Sequence, residues 1–345
     1  MKLYRRLLII ATALTLVVVV FGAYVRLADA GLGCPDWPGC YGKLTPAHAA
    51  EQIREVHAAD PYGPVSMPKA WKEMIHRYLA SALGLLIIVI AICAWRRRED
   101  VAAAPATAAF LVGFVVFQGL LGMWTVTLLL KPAIVTAHLI GGMTILGLLT
   151  WLCMRAAQAG AVEVGARTAV LARLALVLLA IQITLGGWTS TNYAALACTD
   201  FPTCHGSWWP AADYANAFHV VRELGMTAEG ELLSLEALTA IHWMHRIGAV
   251  LAGGALFALA WMLSRRQATQ GLGLLLLAAV VAQVLIGIAN VVFSLPLWLA
   301  VAHNAGAAVL VMVMVGVNYR LSRSGEALGR KWREHEHDEH SNSYA

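Results

Sequence analysis

The chain has 345 residues, 59% of them hydrophobic and 13% charged, with a mean hydropathy of +0.68. Soluble domains carry roughly 25% charged residues, so a soluble fold of this composition would expose large apolar patches, and most of the chain is too apolar for intrinsic disorder. The net charge of +5 lies in short basic clusters between apolar runs, a pattern that orients membrane spans and offers no nucleic-acid-binding face.

Apolar stretches long enough to cross ~30 Å of hydrocarbon run over about 7–27, 74–95, 106–127, 133–154, 168–189, 240–263, 271–293 and 298–319. They are continuous and lack the period-2 alternation of barrel strands, so they predict eight transmembrane helices. The first follows Lys2, Arg5 and Arg6, as a signal peptide would, but continues through Tyr24-Val25-Arg26 without a small-residue cleavage site, and reads as a retained span. Basic clusters at Arg96-Arg97-Arg98, Arg155/Arg167/Arg173, Arg265-Arg266 and Arg320/Arg323/Arg330/Lys331/Arg333 occupy every second connection and the C-terminus. This distribution places both termini in the cytoplasm and makes 28–73 and 191–239 long outer loops. The tail over 321–345, with its His-Glu-His-Asp-Glu-His run, is expected to be a solvated disordered end.

Residues 22–42 and 186–206 align without a gap. Gly22, Cys34, Asp36, Pro38, Cys40 and Gly42 meet Gly186, Cys198, Asp200, Pro202, Cys204 and Gly206. Further on, Ile75-His76-Arg77 matches Met244-His245-Arg246, Thr136-Ala137-His138 matches Val301-Ala302-His303, and Gln118 with Gly122 matches Gln283 with Gly287. The expected architecture is therefore an all-α integral membrane protein built as two tandem four-helix bundles, over 1–160 and 161–320, in parallel orientation.

Each outer loop holds a C-x5-C pair, Cys34/Cys40 and Cys198/Cys204. An oxidising compartment makes each pair a disulfide, either a loop staple or a dithiol that exchanges electrons. Cys204-His205 lacks the C-x-x-C-H spacing of covalent haem attachment. Cys93 and Cys153 read as small apolar residues at the other end of their spans.

Four histidines, His76, His138, His245 and His303, fall one on each even-numbered span near its outer end. One alone would read as a hydrogen-bonded core residue. Two copies of a paired pattern read as metal or haem ligation, because intramembrane ionisable groups are costly without a function. Two axial imidazoles in an apolar helix pair suit a porphyrin better than zinc. Gly84, Gly141, Gly142, Gly248, Gly253, Gly254 and Gly306 leave room for a flat macrocycle or for close helix packing. Arg77 and Arg246, each following a histidine, are read as haem-propionate contacts, with interfacial snorkelling as the bland alternative. The halves differ at one telling place. Glu73 stands three residues before His76, on the same helix face, as a candidate for proton or cation chemistry or as a solvated surface residue; its counterpart is His242, a hydrogen-bond partner behind a ligand, an alternative ligand or an interfacial group.

With these residues, Glu73-Met-Ile-His76-Arg77, Thr136-Ala-His138, His242-Trp-Met-His245-Arg246, Ala302-His303-Asn304 and the two cysteine loops, the chain resembles the haem A synthase family, bacterial membrane enzymes that convert haem O to haem A for cytochrome oxidase. It looks like the members with a cysteine pair in both halves. The resemblance implies a permanent haem b between His245 and His303 and a haem O substrate between His76 and His138. It also implies that Glu73 is the acidic catalytic residue and that a porphyrin methyl is oxidised to an alcohol and then a formyl group. The implied setting is the bacterial inner membrane with periplasmic cysteine loops, in contact with membrane lipid and with haem O synthase or oxidase assembly proteins as partners; a homo-oligomer is compatible. The rival readings are a non-enzymatic bis-His cytochrome b that passes electrons and a repeat-built transporter. The second is disfavoured because Pro132 and Pro296 lie in outer turns and not at mid-membrane breaks.

Overall fold

The computed structural model describes the backbone of residues 1–342 and side chains as far as Leu321. The tail over 321–345, expected to be disordered, continues α10 as far as Asn342, and 343–345 lie outside the described residues. The chain is all-helical: α1 (Lys2–Leu27), α2 (Ala50–Ala59), α3 (Met67–Trp95), α4 (Pro105–Thr127), α5 (Pro132–Ala156), α6 (Ala166–Thr191), α7 (Tyr214–Ala217), α8 (Leu235–Ser264), α9 (Gln270–Val292) and α10 (Leu297–Asn342). No strand forms among the described residues, only isolated bridges. All of these except α2 and α7, eight helices in all, are long and apolar enough to span a membrane. Helices are the form such sequences take because hydrocarbon offers no partner for an unpaired peptide group.

Two of the four spans that carry the candidate residues begin well before the apolar stretches do. Helix α3 starts at Met67, with Pro68 in its first turn, and α8 starts at Leu235, where the Ser234 hydroxyl accepts from the Ala237 N–H at 3.2 Å. Proline at a helix start forfeits no intrahelical bond, and a serine cap satisfies one that would otherwise be open. Polar residues of these first turns hide the helix from a hydropathy window. As a result Glu73, His76, His242 and His245 sit well inside helices, where their side chains are fixed.

Helices α1, α3, α4 and α5 pack in a ring, and α6, α8, α9 and α10 pack in a second. The rings meet where α10 lies against α1 and α5, and α5 against α6. One apolar core, including Tyr4, Leu8, Ile87, Leu111 and Leu149, fills the first ring; another, including Leu146, Leu259, Leu276 and Met314, fills the second and the seam. At the end opposite the cysteine loops, the linker between rings is tied to α10 by Val162 N–H donating to the Arg320 carbonyl at 3.1 Å and by Arg320 Nε donating to the Gly160 carbonyl at 3.1 Å. Away from the ring interiors, Phe110, Val177, Trp261 and Leu274 are exposed, apolar surface suited to lipid.

The backbone repeats as well as the sequence. Left-handed residues recur in matching places: Asp29 and Tyr193, Tyr41 and His205, Gly42 and Gly206, Leu129-Leu130 and Ser294-Leu295. The last two pairs form the tight turns between α4 and α5 and between α9 and α10.

Candidate functional site: paired histidines under two cysteine loops

The cysteine pairs are closed as Cys34–Cys40 and Cys198–Cys204 disulfides. Each loop is built in the same way. Asp36 accepts from the N–H groups of Tyr41 and Gly42, at 2.6 and 2.7 Å, and Asp200 accepts from those of His205 and Gly206, at 2.7 and 3.0 Å. Asp200 also accepts from the Thr203 hydroxyl at 2.6 Å. These donors, the Thr203 hydroxyl foremost, hold its carboxyl well below the usual aspartate range.

The two arginines clamp the loops from below. Arg77 donates to the carbonyls of Asp36, Pro38 and Gly39 at 2.8, 3.3 and 2.5 Å, and to Glu73 Oε1 at 2.5 Å. Arg246 donates to the carbonyls of Thr203 and Cys198 at 2.7 and 3.0 Å. Both also line the cavity described next, but their bonds run to the loop backbone, a role the sequence did not reveal. Glu73 is buried, which removes the solvated-surface reading. Its Oε2 accepts from the Cys34 N–H at 2.9 Å. His242 is also buried and takes the corresponding place: the Cys198 N–H points at its Nδ1 at 3.2 Å, and Arg246 Nε lies 3.3 Å from its Nε2. It is therefore a partner of the loop.

Below the loops a cavity of about 1940 Å³ reaches through both rings. His76, His138, His245 and His303 all line it, as does Glu73. The His76 and His138 rings face each other with centroids 6.4 Å apart and planes at 77°. Two nitrogen–metal bonds of about 2 Å in line, plus the two ring radii, span about 6 Å, so one iron fits between them. His245 on α8 and His303 on α10 stand at opposite corners of the second ring, as His76 on α3 and His138 on α5 do in the first. Among the described residues no three His, Cys, Asp or Glu side chains converge as metal ligands. Two imidazoles alone suit a metal that brings its own equatorial donors, as an iron porphyrin does.

Each imidazole packs on a glycine of the neighbouring helix. A Cβ built at Gly22, Gly122, Gly186 or Gly287 would approach Cε1 of His76, His138, His245 or His303 to 2.8, 3.2, 3.0 or 3.0 Å. Gln118, Gln182 and Gln283 donate through Nε2 to the backbone carbonyls of His138, His245 and His303 at 2.7, 3.0 and 2.9 Å. These glutamines turn out to be part of the site. The Gln118–Gln283 correspondence was visible in the aligned halves. Gln182 was not, because Val18 stands at its matching position. Of the glycines expected to make room for a macrocycle, Gly84, Gly253 and Gly254 line the cavity with no atom within 4 Å of a built Cβ. Gly141, Gly248 and Gly306 instead accommodate the glutamine side chains, and Gly142 packs on Val19.

A family model described as "Cytochrome oxidase assembly protein" (COX15-CtaA) matches residues 5–332. The chain is similar to a protein named "Heme A synthase" from Shewanella oneidensis, 42% identical over 94% of this chain and 98% of the relative. It is also similar to proteins of the same name from Sphingopyxis alaskensis, 29% identical over 91% of this chain and 90% of the relative, and from Halalkalibacterium halodurans, 28% identical over 68% and 74%.

Proposed function

Because the chain belongs to the COX15-CtaA family of cytochrome oxidase assembly proteins, we propose that it is a haem A synthase that oxidises a methyl group of haem O, by way of the alcohol, to the formyl group of haem A. The observation that carries this reading is the facing pair His76 and His138, 6.4 Å apart between ring centroids, in a cavity that Glu73 also lines. The four-helix half over 1–160 takes the substrate haem O between these imidazoles. The half over 161–320 holds haem b between His245 and His303.

The b-type haem supplies reversible one-electron chemistry when bound. The protein contributes orientation, a dry pocket and proton handling. His76 and His138 fix the substrate iron, and so the distance of the reacting methyl from the protein. Glu73, one turn before His76 on the same face, accepts a proton or steadies positive charge as the methyl is oxidised. Arg77 and Arg246 line the cavity next to the histidines, which supports contact with propionates in addition to their hold on the loops. The basic clusters put both termini in the cytoplasm of a bacterium and the disulfide loops in the periplasm, with the spans in the inner membrane. Haem O synthase and the oxidase assembly machinery are the partners this reading calls for.

The test is expression beside a haem O source, followed by pigment extraction and separation of haems by mass. Haem A together with a b-type haem supports the reading. Two permanently bound, reversibly reducible haems with no altered porphyrin would instead indicate an electron-passing cytochrome. Alanine at His245 or His303 is expected to remove the b-type spectrum from purified protein; survival of that spectrum in both variants overturns the assignment of the second half.

A further inference from the structure

The four histidine sites share one construction, and one of them is incomplete. In the full form, one helix carries Gln-x3-Gly and the next carries His-x2-Gly. The first glycine receives the imidazole, and the second makes room for the glutamine. This unit occurs as Gln118/Gly122 with His138/Gly141, as Gln182/Gly186 with His245/Gly248, and as Gln283/Gly287 with His303/Gly306. A Cβ at Gly141, Gly248 or Gly306 would collide with Oε1 of Gln118, Gln182 or Gln283. At the fourth site the imidazole glycine, Gly22, is present, but Val18 replaces the glutamine and Leu79 the second glycine.

The amides do more than join helices. Gln182 Nε2 lies 3.0 Å from His245 Nδ1 as well as from the His245 carbonyl, and Gln283 Nε2 lies 3.4 Å from His303 Nε2, leaving His303 Nδ1 unpaired. Oε1 of all three glutamines is buried without a partner, and so is Nδ1 of His138 and of His303. A ligating imidazole presents Nδ1–H once its other nitrogen takes the metal; the amide nitrogen is itself a donor, so the partner each glutamine offers that hydrogen is its buried, unpaired Oε1, and such an outer partner fixes ring orientation. His76 Nδ1 is also buried and unpaired, but an apolar Val18 stands where the amide would be.

We propose that Gln118, Gln182 and Gln283 are positioning residues that clamp three of the four imidazoles, and that His76, lacking a clamp, is the ligand that releases and recaptures the substrate haem. This rests on the two-site reading above. It accounts for two chemically similar pockets behaving differently. The second half, with both imidazoles clamped, retains its haem; the first, with one clamped and one free, exchanges it. Outer partners of metal ligands typically carry about 10–100-fold in affinity.

The test uses the full-length protein purified with its haem. In Gln182→Leu and Gln283→Leu, the low-spin electron paramagnetic resonance signal of the b-type haem is expected to shift, and the reduced haem to acquire carbon monoxide binding that the parent lacks. The converse variant, Val18→Gln with Leu79→Gly, installs the missing clamp. It is expected to raise the amount of O- or A-type haem that copurifies by about tenfold, leaving the b-type signal as it was. Unchanged signal and carbon monoxide response in both leucine variants overturns the clamp. Unchanged copurification in a folded double variant overturns the role of His76. A parent protein without any bis-imidazole haem signal overturns the two-site reading itself, a distinguishable result.

Discussion

Glu73 and His242 occupy the same position in the two rings: each is buried, each lies four residues before a loop-clamping arginine, and each faces the N–H of the first cysteine of its loop. The two groups differ in capacity. A carboxylate accepts at both oxygens, and Glu73 uses both, one for Arg77 and one for Cys34. A neutral imidazole accepts at one nitrogen only. The first ring therefore places a charged pair, with side chains 6% and 11% exposed, beside its histidine, where the second has a weaker neutral contact. The same framework thus holds a loop in both rings but presents an acid in only one.

Replacing Glu73 with Gln keeps an oxygen for the Cys34 N–H and removes the charge. Haem A formation is expected to fall by about 10²-fold or more, the scale of lost proton-transfer catalysis, with the b-type haem retained. Glu73→Ala also leaves Arg77 buried without its partner, which typically costs about 3–5 kcal/mol, and is expected to lower yield too. Haem analysis of purified Glu73→Gln checks this; a normal haem A yield refutes the role.

Arg77→Lys keeps the charge but replaces a planar fork, with one nitrogen on the loop carbonyls and the other on Glu73, by a single ammonium that cannot hold both in the same geometry. The Cys34–Cys40 disulfide is expected to be reduced and alkylated several-fold faster than in the parent. Cys198–Cys204, held by Arg246, serves as the internal reference. Equal rates at both loops in the variant would show that the arginine does not hold its loop.

Gly287→Ala places a Cβ 3.0 Å from His303 Cε1, so the ring must shift by a few tenths of an ångström. Overpacking of this kind costs about 1–3 kcal/mol, and the purified protein is expected to retain less b-type pigment. Gly113→Ala, on the same kind of helix but with open space around the added carbon, is expected to leave retention intact. Similar pigment in both variants would show that the glycine does not set the imidazole position.

The Asp200 carboxyl is held low in the folded loop by Thr203, Gly206 and His205, against an ordinary value of 3.8. A depressed folded value means the aspartate stabilises the loop above about pH 3.8, and that this contribution fades as pH falls further toward the folded value. Proteolytic sensitivity of the loop is expected to be flat from pH 7 down to about 4 and to rise below that. Asp200→Asn is expected to remove the pH dependence. A loop that loosens already near pH 6 would contradict this assignment.

Hydropathy, Lys and Arg placement and the aligned halves were enough to read eight spans, the C-x5-C pairs and four histidines from the chain alone, because span length, the cost of charge in lipid and a repeated motif are all local or periodic properties. The seam between rings, the convergence of His76 on His138 and the loop-clamping bonds of Arg77 and Arg246 are long-range contacts, and only the tertiary structure decides them. Gln182 illustrates the boundary. Its partner His245 lies 63 residues away, and its counterpart in the first half is a valine, so neither spacing nor repetition singled it out. An amide on an apolar helix acquires meaning only when packing sets a particular carbonyl and a glycine opposite it.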